Sequence, residues 1–147
     1  MKDSFLPLVA AACEARLRSH SPYSGFRVGA ALLGKSGKVY PGTNVENASI
    51  GLSICAERSA ACRAVADGET GFTAIAICAD GTAPTLPCGA CRQVLVEFGP
   101  DMTVLVAGGQ GSGGEILQFS LGELLPHAFE TFVDNIAPEA DGQGESS

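Results

Sequence analysis

Two apolar runs, FTAIAICA from Phe72 to Ala79 and MTVLVA from Met102 to Ala107, are separated by a stretch of helical spacing, about Gly89 to Phe98, that closes on Gly99-Pro100. Strands joined through a helix share a sheet with the helix lying across its face, so this segment commits the chain to a layered α/β architecture. The residues before it complete the pattern. Phe26 to Leu33 (FRVGAALL) and Lys38 to Asn44 (KVYPGTN) flank GKSG, the composition of a hairpin turn. Pro41 places the second of these strands near an edge, because proline cannot donate to a ladder.

A first helix is expected from about Pro7 to Ser19, with Leu8, Ala11, Ala12, Ala15 and Leu17 facing inward. A second spans Ser53 to Asp67, carries Ile54, Ala60, Ala61, Ala64 and Val65 at helical spacing, and stops at Gly68. A Gly-rich loop, GGQGSGG, leads to a short strand around Ile116 to Phe119. The order of elements predicts a three-layer α/β/α sandwich with a mixed five-stranded sheet, formed by a single domain over residues 1–137. The Gly/Glu/Ser stretch 138–147 is expected to be a disordered tail. Ligands belong where the carboxyl ends of strands meet helix N-termini.

Of 147 residues, 46% are hydrophobic, enough for the core of one domain. A formal charge of −7 removes the positive field that would gather phosphates, which argues against a nucleic-acid partner and leaves small neutral substrates open. No run is long enough to cross a bilayer, and no membrane partner is expected. FLPLVAAAC near the N-terminus has the outline of a lipoprotein cleavage site, but Asp3 spoils the basic start and the run continues into charges at helical spacing. A cytoplasmic location follows as an expectation, in which six cysteines serve as thiols and metal ligands rather than as three disulfides. Cys13, Cys62 and Cys78, among apolar neighbours, are expected to be small buried hydrophobes. His20 and His127 sit beside turn-forming residues and are expected at the surface, and Arg92 is expected to be a solvated helix residue.

The chemistry concentrates at two helix starts. Cys55-Ala56-Glu57 opens one and Pro87-Cys88-Gly89-Ala90-Cys91 opens the next, so three sulfurs can converge. Cys88 and Cys91, at i and i+3, offer the bite that a tetrahedral zinc asks of a CxxC pair. Helix N-termini favour thiolate over thiol. Three protein ligands leave a fourth position for water, the pattern of a catalytic zinc, and Glu57 stands close enough to act as a proton carrier without ligating. A lone CxxC would fit a redox pair equally well; the added C-A-E shifts the balance to metal.

Cys-Ala-Glu followed by PCxxC is the pattern of zinc-dependent base deaminases. SPYSGFRVGAALL, NVENASIGLSICAERSA, PCGACRQVLVEF and LLPHAF together resemble the cytidine deaminase family, in its short all-cysteine branch, over about residues 5 to 130. The resemblance implies one Zn²⁺ per subunit on Cys55, Cys88 and Cys91, and hydrolysis of cytidine, and of 2'-deoxycytidine, by zinc-bound hydroxide in pyrimidine salvage. Glu57 would protonate N3 and then the departing amine. Asn44 and Glu46 would hold ribose hydroxyls, Phe26 would lie against the pyrimidine and Ala56 would meet the base through its backbone. Arg58 would hydrogen-bond the thiolates and offset the net −1 that three of them leave on Zn²⁺. Phe129 would reach the active site of an adjacent subunit in a homotetramer with shared pockets. Ile50 departs from the family pattern, standing where many relatives carry an aromatic residue. Three rival functions stay open: a blasticidin-type antibiotic deaminase with the same zinc motifs, a nucleic-acid deaminase, which the acidity disfavours, and a non-catalytic zinc-binding interaction module.

Overall fold

The structure, a computed structural model, describes residues 3–129. The predicted tail from Pro138 lies outside the described residues. Helix α1 (Leu6–Arg16) is followed by strands β1 (Val28–Gly34) and β2 (Val39–Thr43), helix α2 (Ala56–Ala66), strand β3 (Phe72–Ala79), helix α3 (Gly89–Val96), strands β4 (Thr103–Ala107) and β5 (Ile116–Ser120), and the single-turn α4 (Leu121–Leu124). The sheet order is β2-β1-β3-β4-β5. β1 pairs antiparallel with both β2 and β3, β3 and β4 are parallel, and β4 and β5 are antiparallel. The sheet is therefore mixed and five-stranded, with Pro41 on an edge strand as expected.

Alternation along the central strands divides the interior into two layers. Ile75 and Ile77 of β3, with Val104 and Val106 of β4, pack toward Ala56, Ala60, Ala61 and Ala64 of α2 and Leu95 of α3. Ala74, Ala76 and Cys78, with Leu105 and Ala107, face Leu8, Val9 and Ala12 of α1. Burying each large aliphatic side chain contributes about 1.5–3 kcal/mol, and the small residues between them let the helices lie close to the sheet. Gly42 is the closest case. A Cβ there would strike the Ala60 amide nitrogen and stand 2.7 Å from the Ala56 carbonyl oxygen, so α2 rests directly on β2.

Helix α1 ends three residues before the predicted limit, and Leu17, expected to face inward, is 58% exposed beyond its last turn. Val9 takes the buried position instead. Val65 and Ile54 are also more exposed than their helical spacing implied. Cys78 is fully buried as expected, but the cysteine assignments otherwise need correction. Cys62 lies on the outer face of α2 and is exposed, because the buried stripe of that helix runs through Ala60, Ala61 and Ala64. Cys13 and Cys78 are joined in a disulfide that ties α1 to β3. Two thiols placed on facing surfaces of adjacent layers are brought together by packing that neither local sequence reveals. His20 and His127 are at the surface, as expected.

Candidate active site

Cys55 is the N-cap of α2 and Cys88 the N-cap of α3, both in extended backbone conformation. Neither side chain caps its own helix, which leaves both sulfurs free to turn outward. Cys91, one turn into α3, is fully buried. The Sγ atoms of Cys55 and Cys88 are 3.9 Å apart and those of Cys88 and Cys91 3.4 Å apart. All three lie within 4.8 Å of one another, a group able to hold a metal ion. Four ligands at 2.3 Å around a tetrahedral zinc stand about 3.8 Å apart, so the sulfur set fits that ion without rearrangement of either helix.

The electrostatics favour thiolate at Cys55. Cys55 is brought down to about 5, its sulfur accepting a hydrogen bond from Cys91 and, at 3.7 Å, one from the Arg58 guanidinium. Cys91 is pushed up because it is the donor in that pair and is buried. Arg58 also donates to the Ser53 carbonyl, which fixes it beside the sulfurs. Glu57, 5% exposed in the first turn of α2, is pushed up to about 7, first by burial and then by the Cys55 charge.

Of these groups Cys55, Glu57 and Cys88 line a cleft of about 280 Å³, whose other walls are Val28, Asn44, Glu46, Ser53, Ile54, Ala56, Ile77, Thr85 and Leu86. The segment carrying Asn44 and Glu46 is pinned against the start of α2. Val45 and Ile54 exchange both backbone hydrogen bonds at 2.9 Å, while the His20 N–H donates to Asn44 and the Glu46 N–H to His20 on the other side. Asn44 Oδ1 accepts from the Val28 N–H and the Ser19 hydroxyl, and its Nδ2 donates to the Phe26 carbonyl at 2.9 Å. Glu46 accepts from the Ser24 hydroxyl and from the Tyr23 and Ser24 amides, and these bonds hold its carboxyl below the usual range.

Asn44, Glu46, Ala56, Glu57 and the three cysteines thus meet at one site. Phe26 and Phe129 do not line this chain's cleft. Phe26 is 39% exposed beside it, and Phe129 is 60% exposed, its carbonyl accepting from Gln93 at 2.7 Å. Arg92, expected in solvent, instead donates to the Pro87 and Leu124 carbonyls at 2.9 and 2.7 Å, fastening the approach to Cys88. Thr85 and Leu86 went unnoticed in the sequence; their place just before Pro87-Cys88 was the signal that could have found them.

The sequence model described as the cytidine and deoxycytidylate deaminase zinc-binding region matches residues 5–107, a span that contains all three sulfurs and Glu57. The chain belongs to the cytidine deaminase family. It is 48% identical over 122 residues to the cytidine deaminase of Halalkalibacterium halodurans, covering 83% of this chain and 91% of that protein. The crystal structure of cytidine deaminase from Burkholderia pseudomallei matches with a TM-score of 0.79 at 45% identity, over 88% of this chain and 100% of that one. That of the Mycobacterium tuberculosis cytidine deaminase gives 0.75 at 36% identity, over 88% and 100%. The zinc-binding family and the sulfur geometry agree on the cofactor: the protein is a zinc-dependent hydrolase of the deaminase type.

Proposed function

We propose that this protein hydrolyses cytidine and 2'-deoxycytidine to the corresponding uridines and ammonia, and serves cytoplasmic pyrimidine salvage. One observation carries the reading: three sulfurs within 4.8 Å of one another, two of them with buried Glu57 in the lining of a cleft whose other lining residues include Asn44 and Glu46. Cys55, Cys88 and Cys91 hold zinc. When bound, zinc supplies a Lewis acid that makes water nucleophilic near neutral pH.

Glu57 moves the protons. Its carboxyl takes one from the attacking water and gives it to N3 as C4 becomes tetrahedral, then carries the second proton of that water from the new C4 hydroxyl to the amine, which leaves as ammonia while the C4 carbonyl forms. A group held near neutrality by burial is suited to both halves of that task. Ala56 is the first residue of α2, so its N–H has no partner within the helix and donates to the base. Asn44 spends one Nδ2 hydrogen on Phe26, leaving the other for a ribose hydroxyl, and Glu46 is held ionised as an acceptor. Among the described lining residues none is reserved for the 2'-hydroxyl in this reading, in keeping with use of both nucleosides. Arg58 offsets thiolate charge. Phe26 covers the pyrimidine from the rim.

The active unit is a homotetramer in which Phe129 completes a neighbouring cleft. Its exposure, and its position outside its own cleft, support this, as do exposed Tyr23, Ile50 and Leu52. Ile50 sits with Tyr23, Ser24, Glu46 and Ser53 around a shallow hollow, so its departure from the family pattern touches the rim and not the metal. Metal content and cytidine turnover measured in one purified sample test the reading, with blasticidin S as competing substrate. About one zinc per chain with loss of cytidine absorbance is expected. Zinc without turnover would leave an interaction module, and turnover of blasticidin S alone would leave an antibiotic deaminase.

A further inference from the structure

Residues 81–87 lie outside regular secondary structure and connect β3 to α3, and they carry Thr85 and Leu86 into the cleft directly ahead of Cys88. None of the backbone N–H groups from 81 to 87 donates a hydrogen bond to another backbone group in the described residues, so the path of this segment depends on how its two ends are fastened. The Cys88 end is held by the helix start and by Arg92 on the Pro87 carbonyl. The other end is held by Asp80.

The Asp80 carboxylate faces two arginines. Its Oδ2 accepts from the Arg27 N–H at 2.9 Å and from Arg27 Nε at 3.0 Å, while Oδ1 accepts from the Arg27 and Arg16 guanidinium groups at 3.2 and 2.5 Å. The Asp80 N–H returns a bond to the Arg27 carbonyl at 2.9 Å. Next along the chain, the Gly81 carbonyl accepts from the Gly109 N–H at 2.7 Å, and Arg16 also reaches the Gly109 carbonyl at 3.4 Å. The two branches lead to different places. Arg16 belongs to α1, away from the cleft, whereas Arg27 lies between Phe26 at the rim and Val28 in the lining.

We propose that Asp80 is a positioning residue for substrate: through Arg27 it fixes the separation between the Val28 wall and the Thr85–Leu86 wall, and so the width of the slot that receives the flat base. The inference rests on the proposed function for the identity of that base. Asp80 touches neither the sulfurs nor Glu57, and its loss widens the slot without removing the metal or the proton carrier.

Asp80→Asn keeps the shape and one acceptor oxygen but gives up the charge that holds two guanidinium groups. KM for cytidine is expected to rise about tenfold, with kcat changed by less than about threefold and zinc content equal to wild type, because an ill-fitting wall weakens ground-state and transition-state binding alike. Amide hydrogen exchange at Arg27, Asp80 and Gly109 accelerates in the same variant. Arg27→Gln, at a more open position, gives the same direction at smaller size and serves if Asp80→Asn does not fold. Arg16→Gln severs only the α1 branch and lowers Tm while leaving KM unchanged.

A wild-type KM in Asp80→Asn overturns the proposal, as does a KM change that follows zinc loss or one that Arg16→Gln reproduces. If zinc-loaded wild type fails to deaminate cytidine, the proposed function falls. Amide exchange then decides the positioning role by itself, and unchanged exchange at Arg27 and Asp80 overturns it.

Discussion

At the scale of single residues, Glu57 and Cys88 separate metal holding from proton transfer. Glu57→Gln is expected to retain zinc and lose activity by about a thousandfold or more, since general acid-base catalysis of this kind contributes 10²–10⁴-fold. Cys88→Ala is expected to lose both, because two thiolates on one helix pair no longer close the coordination. Parallel metal analysis and cytidine assays distinguish the two outcomes. Asp80 carries a separate signature in pH. The Arg27 hydrogen bonds and charge hold its carboxyl at about 2, below the usual 3.8. A depressed carboxylate contributes stability that is complete above its unfolded pKa and is lost as pH falls through its folded one. Between about pH 4 and 2 the native protein should therefore lose stability more steeply than Asp80→Asn, a difference that acid titration followed by circular dichroism reads directly.

At the scale of elements, the site depends on how closely α2 approaches the sheet. Gly42 is the residue of β2 over which Ala56 and Ala60 pass, and Ala56 stands between Cys55 and Glu57. Gly42→Ala should displace the first turn of α2, cost about 2 kcal/mol or more in stability and lower activity by more than the loss of folded protein explains. Thermal melts and assays below the transition compare the two. The Cys13–Cys78 bridge ties α1 to β3 across 65 residues of chain. Closing a loop of that length stabilises by about 4 kcal/mol on chain entropy alone. Cys13→Ala should lower Tm with zinc retained, because the bridge faces α1 while the sulfurs of the metal site lie at the starts of α2 and α3. Substitution is the cleaner probe, since a thiol reductant would also compete for zinc.

At the scale of the whole molecule, the charge of −7 and the exposed apolar side chains pull in different directions. Net charge keeps chains apart at long range, while Tyr23, Ile50, Leu52 and Phe129 present surface that loses water on contact. In the proposed homotetramer the second effect wins at short range. Sedimentation should give a mass of about four chains, and Phe129→Ala should reduce turnover while leaving zinc in place. A monomeric, fully active protein would contradict the shared-pocket arrangement. Among the described residues no helix is long and apolar enough to cross a membrane.

The strand and helix order, the edge position of β2 and the metal cluster were legible in the sequence because each is carried by local signals: apolar runs, the turn residues GKSG, Pro41, and sulfurs at helix starts whose spacing is set by one turn of α3. Convergence of Cys55 with the CxxC pair was also readable, since neighbouring helix starts at one end of the strands leave few alternatives. The Cys13–Cys78 bridge, the exposure of Cys62 and Leu17, the clamp of Asp80 on Arg16 and Arg27, and the place of Leu86 in the cleft were decided by tertiary structure. Each depends on which side chains from distant segments face one another across a layer, a relation fixed only when α1, β1 and the segment after β3 pack together.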